Sequence, residues 1–357
     1  MKRALKLLLS LAVTVAFSWW AFRGTHWAQQ WESLRSAKVG WIGLYFVFLT
    51  AIHLTRTLRW GCLLSGIERV PFRPLNEASG IGFMMLIVLP FRLGEFARPF
   101  LIAERSRIRR SAAMTTIVVE RITDGLSIAL LLMVLMVFLP SGTVEARYVH
   151  LGAYATFAVF GGGALFLLFS LWQHDRAVAL VRHTLGLLWP KGAEKAASVV
   201  DTFVGAMRQL PPRRELAAFF GLTALYWGLN GAGVTLLARA FSCADGGCTP
   251  LHLSFFAGYV VMCVLVVGVM IPAAPGMMGT FQAAVKLGLT LFLPAAVVSS
   301  SGMAFANVLW LCQTGQQVLF GLLFMSTSQL SFRQIAGRLS VDATEASASS
   351  PSVTTGG

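Results

Sequence analysis

Charge is scarce in this chain. Of its 357 residues only 12% are Asp, Glu, Lys or Arg, while 56% are hydrophobic. A soluble domain carries roughly 25% charged residues, and so few charges cannot cover the water-facing surface of a chain this long. A soluble globular fold is thereby excluded. Metal-ligand patterns are missing too: the six histidines are dispersed and the cysteines have no zinc-like spacing. There is no Walker loop, no Gly-x-Ser-x-Gly elbow and no His-Glu-x-x-His helix. These absences argue against an ATPase or a hydrolase, and no cofactor is expected. A membrane-embedded transferase would need none of those motifs and stays open.

What the chain has is apolar residues in blocks. A helical span needs roughly 20 mostly apolar residues to cross a hydrocarbon core about 30 Å thick. Blocks that meet or approach this length lie at 5–22, 39–54, 117–139, 149–172, 216–240 and 297–325. The first follows a basic start and runs into Trp19-Trp20 without a cleavage pattern, so an uncleaved anchor span is expected. The tryptophans gather near predicted span ends, as in an interfacial belt.

Net charge is +14, from 29 basic against 15 acidic residues. So basic a chain suits either a nucleic-acid partner or a membrane, and the spans decide for membrane. The basic residues cluster in alternate loops. Lys2, Arg3 and Lys6 precede the first block; Arg56, Arg59, Arg69 and Arg73 follow the second; Arg105, Arg107, Arg109 and Arg110 precede the third. The loops 140–150 and 241–252 hold one basic residue between them, Arg147. The positive-inside bias therefore puts both termini in the cytoplasm, although Arg23, Arg35 and Lys38 fit it poorly.

The insert 173–215 mixes Val178, Leu180, Val181 and Leu185 with Arg176 and Arg182, which predicts an amphipathic helix on the bilayer surface. From Ser340 onward the chain is Ser, Thr, Ala and Gly without periodicity, and the tail 333–357 is expected to be disordered. The membrane domain is thus 1–332. Cys62, Cys263 and Cys312 sit in apolar stretches and read as small hydrophobes. Cys243 and Cys248 share a loop placed outside, where a disulfide is one option.

Two segments break the hydropathy pattern. The apolar part of the first, 78–91, is too short to cross and runs into Pro90-Phe91-Arg92-Leu93-Gly94-Glu95. The second, 253–293, is interrupted by Pro272, Pro275, Gly276 and Gly279. Proline removes an amide donor and glycine frees the backbone, so each helix must break there. Broken backbone at membrane depth persists only when buried in protein or lining a wet cavity. Both segments read as re-entrant hairpins. Each lies between two spans, with opposite orientation, which is the arrangement of an inverted repeat with a site near the midplane. The fold class expected is an all-α polytopic membrane protein of about six full spans plus two re-entrant hairpins, or seven or eight spans if the hairpins cross.

Arg92, Glu95 and Arg98 recur every three residues and would share a helical face. Glu120 and Asp124 are one turn apart in the third block, with Arg121 able to reach Asp124. A charge at the bilayer centre costs about 2.5–3.5 kcal/mol on insertion scales, so these six groups need partners or water. An internal ion-pair network and a row of groups snorkelling to the headgroup layer are the structural readings. The functional reading is a lipid headgroup site in which arginines hold phosphate and carboxylates orient them. At the second break, Pro275, Gly276 and Gly279 would open a half-helix N-terminus that attracts anions, followed by Gln282 and Lys286; a plain tight turn is the alternative. Gly80, Gly82, Gly228, Gly231, Gly233 and the run Gly161, Gly162 and Gly163 read as sites of close helix packing.

The elements Leu89-Pro90-Phe91-Arg92-Leu93-Gly94-Glu95-Phe96-Ala97-Arg98 and Val119-Glu120-Arg121-Ile122-Thr123-Asp124 resemble the signature of the lysylphosphatidylglycerol synthase transmembrane-domain family. The pattern there is Pro-x-Arg-x-Gly-Glu-x-x-Arg, then Glu-Arg-x-x-Asp. Pro275-Gly276-Met277-Met278-Gly279-Thr280-Phe281-Gln282 is similar to the family's later Pro-Gly-x-x-Gly-x-x-Glu, with Gln282 in place of Glu. The resemblance implies a bacterial inner-membrane protein related to a lipid flippase half, with Arg92, Glu95, Arg98, Glu120, Arg121 and Asp124 as its polar cluster. It also implies no aminoacyltransferase domain in this sequence, so a complete synthase is not expected. The function expected is translocation of a phospholipid or lipid-linked metabolite, with anionic or phosphate-bearing membrane lipids as partners and no nucleic acid. The alternatives are a polyprenyl-phosphate or lipid-modifying transferase and a non-catalytic scaffold for a lipid-synthesis partner.

Overall fold

The computed structural model describes residues 15, 18, 19, 21–24, 27–89, 94–138, 144–188, 211–242, 250–270 and 275–328. The regular structure among these is helical throughout, with no strand. Most of the first apolar block, residue Arg92, both Cys243 and Cys248, the segment 189–210 and the tail lie outside the described residues.

A short helix α1 (Trp27–Arg35) precedes α2 (Val39–Leu64). The 26 residues of α2 run well past residue 54, where the apolar block ends. Arginine is a good helix former, and Arg56 and Arg59 continue the helix instead of leaving it for a loop. The first hairpin follows as α3 (Phe72–Val88) and α4 (Ala97–Arg105), then α5 (Arg110–Met136), α6 (Val144–Trp172) and α7 (His174–Leu188), which packs on α6. After the insert come α8 (Arg213–Ala238) and the second hairpin, α9 (Phe255–Gly268) and α10 (Thr280–Thr290). The last helix, α11 (Met303–Ser328), is entered through Ala295–Val297 and a π-helical turn, Val298–Gly302.

Among the described residues, three helices are long and apolar enough to cross a membrane by length and composition: Val39–Leu64, Val144–Trp172 and Ala295–Thr327. With 27 and 26 residues, α5 and α8 have the length as well. The hairpin arms do not. They have 17, 9, 14 and 11 residues, and at about 1.5 Å per residue the longest reaches only ~26 Å. Within each hairpin the two arms pack on one another.

Backbone approach at the tip of the first hairpin depends on Gly94. A Cβ on Gly94 would overlap the backbone of Met85 and Leu86 on the opposing arm. In the second hairpin the turn is made by positive φ at Gly276 (74°), Met277 (53°) and Gly279 (86°). Glycine tolerates this region freely, whereas Met277 adopts it at a cost.

The packing has an internal two-fold pattern. Exchange α2 with α8, α3 with α9, α4 with α10 and α5 with α11. The α2–α8 contact maps onto itself, α3–α11 maps onto α9–α5, α4–α5 onto α10–α11, and α2–α3 onto α8–α9; all of these contacts are present. A chain that crosses five times in succession with α2, α5, α6, α8 and α11 alternates direction, so α2 and α8 run antiparallel and the two halves are inverted. The small residues serve this packing: Gly80 meets Phe324, Gly231 meets Tyr259 and Gly233 meets Tyr45. Cys263 and Cys312 are buried in the larger core with Val261, Phe281, Val285 and Phe305.

Candidate functional site

Glu120 stands near the middle of α5 and is fully buried. Three arginines from three elements converge on it. Arg59 Nη2 on α2 donates to its Oε1 at 3.0 Å. Arg98 Nη1 on α4 lies 3.2 Å from its Oε2, and Arg121 Nη2 lies 3.4 Å from Oε1. One turn along α5, Asp124 takes a two-pronged grip from Arg59, at 2.5 and 2.9 Å. The side chain of Arg59 has no exposed surface, and a desolvated charge of this kind persists only when paired in good geometry. Beside this pair, Trp60 Nε1 donates to Thr116 Oγ1 at 3.0 Å and fastens α2 to α5.

The first hairpin is joined to the same network through its second arm. The guanidinium of Arg98 lies 4.3 Å from the Trp60 ring and 4.7 Å from the Phe83 ring. A Cβ on Gly82 would strike the Arg98 stem, so α3 is cut back there to admit it. Glu95 sits at the hairpin tip, half-buried. Elsewhere on α3, Glu77 is held by Arg73 at 3.1 Å and by Arg105, which closes the base of the hairpin.

Three positions differ from the sequence expectation. Asp124 is bound by Arg59 rather than by Arg121, because α2 brings Arg59 in from the opposite side. Arg56 and Arg59, assigned to a cytoplasmic loop on hydropathy, are inside the protein. Arg56 lies 3.5 Å over the Phe83 ring, and its Nε has no hydrogen-bond partner.

A cavity of about 670 Å³ opens where the tips of the two hairpins meet. One part of its wall is charged: Arg56, Glu95, Arg121 and Asp124. Arg59, Arg98 and Glu120 are not in that wall; they form the buried layer behind it. Another part is uncharged and polar, with Tyr226 and Asn230 from α8 and Gln313, Thr314 and Gln317 from α11. The remainder is apolar, including Val159 and Phe160 of α6 and Val266 and Met270 of the second hairpin. Val159 is 69% exposed although it borders the cavity, so the cavity has a mouth beside the middle of α6.

The second hairpin contributes Gly276, Met277 and Phe281 to the wall. Its turn is held by neutral groups. Trp310 Nε1 donates to the Gly276 carbonyl at 2.7 Å. The Gly279 amide donates to Gln282 Oε1 at 2.8 Å, so Gln282 caps the half-helix that it begins, and its Nε2 faces Asn307 Oδ1 at 3.4 Å. Lys286 points away from the cavity and donates to the carbonyls of Ala21 and Arg23, both at 3.0 Å. Pro275 precedes this turn, at the start of the 3-10 segment Pro275–Met277.

The structure thus brings together Glu95, Arg98, Glu120, Arg121 and Asp124, while Arg92 lies outside the described residues. It adds Arg56, Arg59, Tyr226, Asn230, Gln313 and Gln317, which hydropathy passed over. The amides gave a readable signal: Asn230 and the pair Gln313 and Gln317, one turn apart, interrupt otherwise apolar helices, and polar groups inside spans are expensive enough to be informative.

No curated protein and no solved structure matches this chain. The family model described as "Lysylphosphatidylglycerol synthase TM region" matches residues 7–321, which includes both hairpins, α5 and every cavity-lining residue. The chain belongs to that family of membrane proteins, related to lipid metabolism or translocation.

Proposed function

We propose that the protein moves a phosphate-bearing lipid across the bacterial inner membrane, with both termini cytoplasmic and without catalysing a chemical change in the lipid. The observation that carries this reading is Arg56. It is a cation in the cavity wall, resting on an aromatic face with its Nε unpartnered, next to Arg121. Two of the neighbouring carboxylates are already committed, Glu120 to three arginines and Asp124 to Arg59, and Glu95 shares the wall. Two guanidinium groups in one cavity wall suit the planar, bidentate recognition of phosphate. The apolar wall and the mouth beside Val159 leave acyl chains in contact with the bilayer while the headgroup enters. The ionised layer behind the wall fixes the arginines without competing for the ligand.

A vesicle assay tests the reading. Purified protein is reconstituted with a fluorescent phospholipid, and a membrane-impermeant quencher reports movement between leaflets. Arg56→Met with Arg121→Met should abolish the movement while leaving thermal unfolding within a few degrees of wild type. Wild-type rates in that variant would remove the proposed roles. A covalently altered lipid in the vesicles, seen by mass spectrometry, would favour the membrane-embedded transferase instead.

A further inference from the structure

The charged wall explains how the cavity could hold a phosphate, but not why its other polar wall is made of amides. Asn230 Nδ2 donates to the carbonyl of Tyr226, one turn earlier, at 2.7 Å. That bond fixes the side chain and leaves Oδ1 as the free acceptor. Gln313 Nε2 donates to the Tyr45 hydroxyl at 2.9 Å, which likewise leaves Oε1. Both residues line the cavity, as does Gln317 one turn beyond Gln313. Each fixed amide uses one N–H internally and keeps its oxygen acceptor and a second N–H.

The two polar walls adjoin at Tyr226, whose ring lies 4.7 Å from the Arg59 guanidinium, and spread apart along α2: Tyr45, the partner of Gln313, precedes Arg56 by 11 residues, an axial rise of ~16 Å between their backbones. A ligand that carries polar groups beyond its phosphate would meet both. What those groups are follows from the acceptors. An ammonium would be drawn to a carboxylate, and the carboxylates, Glu95 and Asp124, are in the charged wall. Neutral amides that each keep an acceptor oxygen and an N–H suit neutral groups that both donate and accept, which means hydroxyl groups. The ring of Trp227, which also lines the cavity, offers an apolar surface that the C–H side of a sugar-like ring can cover.

We infer that the headgroup is a hydroxyl-rich ring joined to the phosphate, a polyol or glycosyl phosphate, with the phosphate on Arg56 and Arg121 and the ring hydroxyls on Asn230 and Gln313. This rests on the translocation reading for the phosphate, and adds the specificity.

Binding to the purified protein in detergent, followed by native mass spectrometry with lipids of matched acyl chains, separates the two. The probes are phosphatidylinositol, phosphatidic acid and phosphatidylethanolamine. Wild type should bind phosphatidylinositol about tenfold or more tighter than phosphatidic acid, an effect of about one hydrogen bond. Asn230→Leu with Gln313→Met should erase that preference and leave phosphatidic acid binding unchanged. Gln317→Leu serves as a second variant that disturbs no internal hydrogen bond described above. Equal affinities in wild type, or a preference that survives both variants, overturns the inference while the phosphate site stands. Tighter binding of phosphatidylethanolamine than of phosphatidylinositol also overturns it. If no phosphate lipid binds, or if Arg56→Met with Arg121→Met leaves phosphatidic acid binding intact, the translocation reading fails with it.

Discussion

The two hairpins are equivalent in packing and opposite in chemistry. Each consists of two short helices that pack on each other, the first arm on the partner half's long helix and the second on its own half's. The first is pinned by charge: Arg98 reaches Glu120 at 3.2 Å, and Arg59 holds the same carboxylate from the other side. The second is pinned by neutral bonds: Trp310 to the Gly276 carbonyl, and the Gly279 amide to Gln282. Ion pairs sealed from water are costly to break on one side, whereas a single neutral hydrogen bond contributes about 1 kcal/mol. The first hairpin is therefore the more firmly anchored of the two. In the proposed translocation, where one bundle moves against another around the site, the second hairpin is the element expected to move.

The sharpest way to break the comparison is to unpair the first hairpin's anchor. Asp124→Ala leaves Arg59 with Glu120 alone, in a place with no exposed surface for its side chain. The expected loss is about 3–5 kcal/mol, read as a fall in the melting temperature in detergent. Arg59→Met with Asp124→Leu, which removes both charges, should recover most of that loss. If the single variant melts like wild type, the network is not structural.

Next in size is the backbone approach at Gly94. Gly94→Ala places a methyl group against the Met85 and Leu86 backbone, where no side chain can move aside, and should cost about 1–3 kcal/mol, the range for overpacking a core. Its counterpart, Gly276→Ala, meets open space apart from the edge of Trp310 at 3.7 Å. It faces only the penalty of a left-handed φ of 74°, about 1–2 kcal/mol. Melting temperatures of the two variants, measured side by side, should fall in that order. The reverse order would mean that the second hairpin is the more tightly built.

Much of this architecture was legible in the sequence for one reason. Proline and glycine interrupt apolar segments too short to span, and at membrane depth this leaves little but a re-entrant turn. The charge pattern likewise located α5, because Glu120, Arg121 and Asp124 interrupt a block that is otherwise apolar. Hydropathy failed where charge is compensated in three dimensions. Arg59 looks like the end of a span because a window average cannot see Glu120 and Asp124, which lie 61 and 65 residues away in sequence and at hydrogen-bonding distance in space. The uncharged wall was missed for the converse reason. Asn230 and Gln313 each interrupt an apolar helix, but singly, and only their convergence on one cavity gives them meaning.

At the second hairpin, Gln282 and Lys286 can be told apart by their smaller effects. Gln282→Leu removes the cap on the Gly279 amide and should cost about 1 kcal/mol. Gln282→Glu keeps an acceptor at the same place and should restore the cap, so a family-like glutamate is tolerated there. Lys286 has a different task. Its ammonium donates to the Ala21 and Arg23 carbonyls, so it ties the hairpin's second arm to the chain ahead of α1. Lys286→Met should leave lipid binding unchanged and expose the residues around Arg23 to trypsin faster, by a few-fold. Were lipid binding to weaken instead, with protease sensitivity unaltered, Lys286 would belong to an anion site after all. The neutral character assigned to the second hairpin would then be wrong, and with it the view that this hairpin is the one that moves.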